Sequence, residues 1–114
     1  MSVETGRRAG EAVTLAAKLF RGLAEGIRLS LLLELTDGER RVADLVTAVG
    51  GSQGNVSGHL ACLKDCGLVL DRPEGRQVFY RIARPEVVEV LRSAEALLAV
   101  TGHQIDLCRN YREA

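Results

Sequence analysis

Cys62 and Cys66 are the residues of this 114-residue chain best suited to chemistry. In a helix the i, i+4 spacing puts both on one face, with Cβ atoms roughly 5–6 Å apart. Thiolates are soft donors, so the pair can grip one soft ion such as Cd(II), Pb(II), As(III), Hg(II) or Cu(I) in preference to a hard cation. Ligation requires deprotonation, so occupancy falls as the pH falls. Cys108, the third cysteine, is the natural candidate to complete the set. Three thiolates suit the pyramidal coordination of Pb(II) and As(III). Cd(II) often seeks a further donor, and Zn(II), which takes four ligands, is less well served. His103 is close enough in sequence to Cys108 to be that extra donor, whereas His59 falls beside Val56 and Leu60 and reads as a packing residue. The plain alternative for the cysteines is packing, since a free cysteine often behaves as a small hydrophobe. Reversible oxidation is another, although side chains at i, i+4 rarely reach disulfide geometry without distortion.

The totals narrow the classes. A chain of this length makes one small domain, residues 1–114, with room for a single core. Its 15 basic and 15 acidic residues cancel, so no global positive field advertises nucleic acid and any such contact must be local. Between Ser52 and Arg84 five basic residues face three acidic ones, a weak bias in that direction. Four aromatic residues and no Trp argue against a base-stacking platform for single strands. No general acid–base pair, nucleophile elbow or phosphate loop is present, so neither an enzyme nor an organic cofactor is expected. The N-terminus lacks a signal-peptide apolar stretch and no apolar run nears the ~20 residues that span a bilayer. Three cysteines cannot all pair within one chain, so a reducing cytoplasm and no membrane partner are expected.

The elements that must position the thiols follow from periodicity. Apolar residues Val13, Leu15, Ala16, Leu19, Phe20 and Leu23 predict a helix over Glu11 to Leu23, and Ile27, Leu31, Leu32 and Leu35 a second over Ala24 to Leu35. Thr36-Asp37-Gly38 ends it. A short third helix covers Val42 to Val49, closed by Gly50-Gly51. Ser52 then caps a fourth, whose inward stripe is Val56, Leu60 and Leu63 and which spans 52–66. Its outer residues are small and polar, as in a helix entering a major groove, although a plain solvent-facing helix reads the same way.

Leu68 to Arg72 and Gln77 to Ile82 predict two strands around the turn Pro73-Glu-Gly-Arg76, making a hairpin over 68–82. A hairpin directly after such a helix is a wing, and its arginines can reach phosphates or the minor groove. The fold expected is mainly α with a small β-hairpin wing, an α+β winged helix-turn-helix. Candidates for contact with double-stranded operator DNA are Ser52, Gln53, Asn55, Ser57 and Lys64 from the helix, and Arg72, Arg76 and Gln77 from the wing. Pro85 opens the last helix, 85–108, with an apolar stripe from Val87 to Leu98. One small domain has little surface to bury this helix together with the first, so the pair reads as a homodimer interface; the alternative is that both pack on their own domain. Residues 9–108 are expected to be ordered and 1–8 and 109–114 to be loose tails.

These segments resemble the ArsR/SmtB family of metal-sensing winged-helix repressors over nearly the whole chain. The resemblance is carried by Leu23-Ala-Glu-Gly-Ile-Arg-Leu-Ser-Leu-Leu-Leu33, Ser52-Gln-Gly-Asn-Val-Ser-Gly-His-Leu60, Cys66-Gly-Leu-Val69 and Glu74-Gly-Arg-Gln-Val-Phe-Tyr-Arg81. Glu25-Gly26 departs from the family's usual Asp-Pro, a change expected to loosen the start of the second helix. The cysteines look most like those of the family's cadmium/lead sensors, with two at i, i+4 in the reading helix and one far downstream. Cys62, Cys66 and Cys108 match that set one by one, and the resemblance implies that Cys108 completes the site across the dimer, with completion within one protomer the alternative. The Cys-x-Cys that other members carry in the third helix is absent from Arg40-Arg-Val-Ala-Asp-Leu45, and His103 and Asp106 lack the spacing of the zinc-sensing pairs. The resemblance implies a repressor that binds operator DNA as an apo dimer and is released by Cd(II) or Pb(II), with As(III), Hg(II) and Zn(II) less favoured. A thiol redox repressor of the same fold, or a dimeric DNA-binding protein with no ligand, are the competing readings.

Overall fold

The computed structural model describes residues 3–107; Cys108 and residues 109–114 lie outside them. Five helices and a three-stranded sheet follow one another as α1 (Val3–Leu23), α2 (Gly26–Leu35), β1 (Arg40–Arg41), α3 (Val42–Val49), α4 (Gln53–Asp65), β2 (Val69–Glu74), β3 (Gln77–Ile82) and α5 (Pro85–Leu107). Helix α1 opens ahead of the apolar stripe that predicts a start at Glu11, because a nucleated helix adds a hydrogen bond per residue at little further cost.

Local chemistry sets each boundary around α4. Helix α2 starts capped despite the missing proline: Glu25 is extended, and its carboxylate accepts the Arg28 backbone N–H at 2.8 Å. The expected loosening is therefore offset by this cap hydrogen bond. Gly50 (φ 76°) ends α3, its N–H donating to the Val46 carbonyl. Ser52 caps α4, its Oγ accepting from the Asn55 N–H at 3.1 Å. Past Cys66, Gly67 (φ 78°) donates to Lys64 O at 2.9 Å and Leu68 to Leu63 O at 3.0 Å. That paired closure satisfies the last carbonyls and needs a left-handed residue, which glycine supplies without strain.

The sheet runs β1-β3-β2, all antiparallel, with Val69 opposite Ile82, Glu74 opposite Gln77 and Arg40 opposite Tyr80. The wing hairpin closes through the two residues Gly75 and Arg76, with Gly75 at φ 63°. Pro73 sits within β2 rather than in the turn, which an edge strand tolerates. Strand β1 is the element the sequence conceals: two residues are too few to display alternation.

The core joins Leu31, Leu32 and Leu35 of α2, Leu45 of α3, the α4 residues Val56, Leu60 and Leu63, and Val69, Tyr80 and Leu91. Helices α1 and α5 run beyond it. Val13 is 68 % exposed, Phe20 62 %, Leu97 58 % and Val100 78 %, so these side chains do not pack on their own domain. Leu60 is fully buried where α2, α4 and the sheet meet. Leu60→Ala is expected to cost about 2–5 kcal/mol, read as a lower denaturant midpoint at unchanged slope; a loss well under that range would mean α4 is not locked into the core.

Candidate thiol site and nucleic-acid interface

Helix α4 divides its surface three ways. Val56, Leu60 and Leu63 face the core. On one side of that stripe Gln53 and Ser57 face the wing; on the other His59, Cys62 and Cys66 face α2 and α1. The 3.6-residue repeat produces the division: residues three and four apart stay on one side, so the two flanks carry independent sets.

On the thiol flank, Cys62 and Cys66 line one cavity of about 240 Å³ together with Leu15, Lys18, Leu19 and Gly22 of α1, Arg28, Leu63 and Leu68. Cys62 is half-buried and Cys66 exposed, and both are free thiols. The Arg28 guanidinium donates from Nη1 to Cys62 Sγ at 3.3 Å. A turn earlier, His59 Nδ1 lies 3.6 Å from Oε2 of Glu25, so His59 is a partly buried neighbour of α2, in keeping with a packing role. Two sulfurs and no lining carboxylate fit a soft ion and offer a hard one nothing to hold. Two donors fall short of a three-coordinate set. Among the described residues no group of three or more His, Cys, Asp or Glu could hold a metal ion. Cys108 lies outside those residues, and His103 is exposed on α5.

On the opposite flank, Gln53 and Ser57 share a groove of about 220 Å³ with Arg76 and Gln77 of the wing and with Arg41. The structure thus joins four of the eight candidate DNA residues. Ser52 is occupied as the cap, and Asn55 is exposed at the same helix end. The other two are engaged elsewhere: Lys64 Nζ pairs with Asp71 at 3.1 Å. Arg72 binds Glu39 at 2.7 Å and Glu74 at 2.9 Å while stacking 4.7 Å above the Phe79 ring. These contacts raise the Arg72 pKa, first through Glu39, and hold the Glu39 carboxyl below its ordinary range. Gly54, in the first turn of α4, and Gly58, in its middle, are exposed, and an added Cβ at either would meet nothing. Gly58 costs the helix up to about 1 kcal/mol that no contact among the described residues offsets.

Residues 25–70 match the model of the bacterial regulatory protein arsR family. The chain is 40% identical over 92 residues to a probable mercury resistance operon repressor of Streptomyces lividans, covering 81% of this chain and 74% of that protein. It is 39% identical over 89 residues to the HTH-type transcriptional regulator CmtR of Mycobacterium tuberculosis, covering 77% and 75%. This chain belongs to the arsR family. It is a winged helix-turn-helix transcriptional regulator and not an enzyme. Among solved structures, the homodimeric winged helix-turn-helix DNA-binding domain of Mb0332 from Mycobacterium bovis superposes with a TM-score of 0.72 at 34% identity, over 81% of this chain and 85% of that one. No helix among the described residues is long and apolar enough to cross a membrane.

Two residues escape sequence reasoning. Arg28 reads as an ordinary polar position of α2, and nothing local ties it to Cys62, 34 residues away. Arg41 reads as the start of α3, yet it clamps Asp44 at 2.9 and 3.0 Å and donates to Gln77 Oε1 at 3.1 Å, bridging to the wing. The basic pair Arg40-Arg41 was the available signal.

Glu25 supplies a pH test of the α2–α4 junction. Accepting the Arg28 backbone N–H is the main cause that holds its carboxyl below the ordinary glutamate range; burial opposes this, and His59 adds to the lowering. A depressed folded pKa stabilises above the unfolded value and is lost as the pH falls through the folded one. The stability gap between the wild type and Glu25→Gln, measured by urea unfolding across acid pH, should therefore be full near neutrality and shrink below the ordinary glutamate range. A gap that stays constant would show that the carboxylate charge does not contribute.

Proposed function

We propose that this arsR-family chain is a metal-responsive repressor acting as a homodimer. Metal-free, its two α4 helices enter successive major grooves of an operator, with half-sites about one helical turn apart. Cys62 and Cys66, with Cys108 as third donor from the same or the partner chain, take up Cd(II) or Pb(II), and the operator is released. One observation carries this reading: Cys62 and Cys66 open on one cavity along a flank of the same helix whose other flank faces the wing groove.

A rod with sulfur donors on one flank and groove-facing polar residues on the other cannot move one without the other. Gln53, Ser57, Arg76, Gln77 and Arg41 are the contacts proposed for base edges and phosphates. Gly54 and Gly58 let the duplex approach the helix backbone closely. Ser52 contributes through the cap and Asn55 from the same helix end. Lys64 and Arg72 act mainly as braces, joining α4 to β2 and β2 to Glu39. The exposed apolar residues of α1 and α5 supply the dimer surface, and the Mycobacterium bovis relative, a homodimer, supports it. The soft donor set and the likeness to a mercury-resistance repressor support a thiophilic ion. Binding favours the state that leaves DNA by about 1–3 kcal/mol, and DNA disfavours the ion by the same amount.

Fluorescence anisotropy tests this with a duplex selected from random DNA by the metal-free protein. Cd(II) or Pb(II) should weaken binding about 5- to 150-fold, while Cys62→Ser with Cys66→Ser loses the response to the ion. Equal affinity with and without metal rules the switch out. A response to peroxide but not to metal assigns the thiols to redox sensing instead.

A further inference from the structure

We infer that Arg28 is the group a soft ion must displace, and that its displacement carries the event from the thiols to the rest of the fold. The inference rests on the reading of Cys62 and Cys66 as the ligand site. Three observations point to it. First, Arg28 Nη1 donates to Cys62 Sγ at 3.3 Å, so a full positive charge already occupies one side of that sulfur. Second, Lys18 also lines the cavity and no carboxylate does. An arriving cation therefore meets two like charges, and the one in contact with sulfur must yield. Third, Arg28 Nε is buried without a hydrogen-bond partner, and among the described residues no other buried side-chain nitrogen or oxygen lacks one. A buried unpaired N–H is costly, so the metal-free pose of Arg28 is under-satisfied and easily exchanged for another.

The position of Arg28 gives the exchange its reach. The first turn of α2 meets α4 at two points one turn apart, Glu25 with His59 and Arg28 with Cys62. The same Glu25 carboxylate caps α2 through the Arg28 backbone N–H. The packed faces of α2 and α4 set their crossing, and these two contacts hold one edge of it in place. When Arg28 leaves Cys62, that edge keeps only the Glu25–His59 contact and α4 can shift as a body against α2. Arg28 is thus a positioning residue: it keeps α4 in the DNA-competent pose and competes with the ion for sulfur. Because the contact competes with the ion for sulfur and favours the DNA-competent state, its loss should tighten the ion and weaken the DNA.

The test uses the full chain and three proteins, the wild type, Arg28→Gln and Arg28→Lys, each checked for folding by circular dichroism. Cd(II) affinity is read from thiolate-to-metal absorption in competition with a chelator, and DNA affinity of the metal-free proteins by anisotropy. Arg28→Gln should bind Cd(II) about ten-fold tighter, the order expected for removing one charge-assisted contact. Metal-free, it should bind DNA several-fold more weakly, with a smaller further loss on adding Cd(II). Arg28→Lys keeps the charge and should fall between the other two. Cd(II) affinity of Arg28→Gln equal to or below wild type, an unchanged response of DNA binding to Cd(II), or Arg28→Lys matching Arg28→Gln would each overturn the inference while leaving the thiol site standing. Absence of the absorption band in the wild type would instead remove the ligand site itself.

Discussion

The burial of Val56, Leu60 and Leu63 is the constraint on which the remainder of this molecule depends. These three side chains turn one stripe of α4 into the core and leave its two flanks facing different neighbours. One flank is bounded by the wing and Arg41, the other by α1, α2 and their basic residues. Close-packed interiors resist continuous deformation, so α4 moves as a body or not at all. A helix held in this way can transmit an event on one flank to the other without any wire of intervening contacts.

Both ends of α4 are finished by local chemistry rather than by packing. The Ser52 hydroxyl and the Gly67 turn satisfy the orphan amides and carbonyls. Cys66 stands at the second of these ends, one residue before the chain reverses into the wing. Its sulfur is consequently close to the hinge between the reading helix and β2, and the Lys64–Asp71 pair crosses the same hinge. The wing is braced in turn from β1's neighbourhood, where Glu39 and Arg41 meet Arg72 and Gln77. Charged residues in this part of the surface serve the geometry of the fold as much as any partner.

Much of this was legible in the chain itself. The helical stripes, the Ser52 cap and the Gly75 turn are local signals, with periods and turn chemistry that follow from backbone geometry, and they predict α2 to α4 and the hairpin closely. The shared face of Cys62 and Cys66 follows from the same 3.6-residue repeat. Strand β1 was not legible, because it exists only through its pairing with β3. The start of α1 was missed because helix propagation does not require an apolar stripe. The acidic partners of Arg72 and Lys64 were not legible for a related reason: a basic residue beside a reading helix looks free until its acidic partner is located.

The sequence by itself determined that two thiols stand a turn apart on a capped helix, followed by a wing, in a chain with two apolar helices that its own core cannot cover. Those facts depend on neighbours within a few residues, where backbone periodicity governs. Only the tertiary structure decided what faces the thiols. It brought Arg28 to Cys62 and Glu25 to His59, and gathered Gln53, Ser57, Arg76, Gln77 and Arg41 around one groove. Contacts across 34 residues arise when helices pack, and the crossing of α2 over α4 is set by the fit of whole faces, which no local pattern encodes.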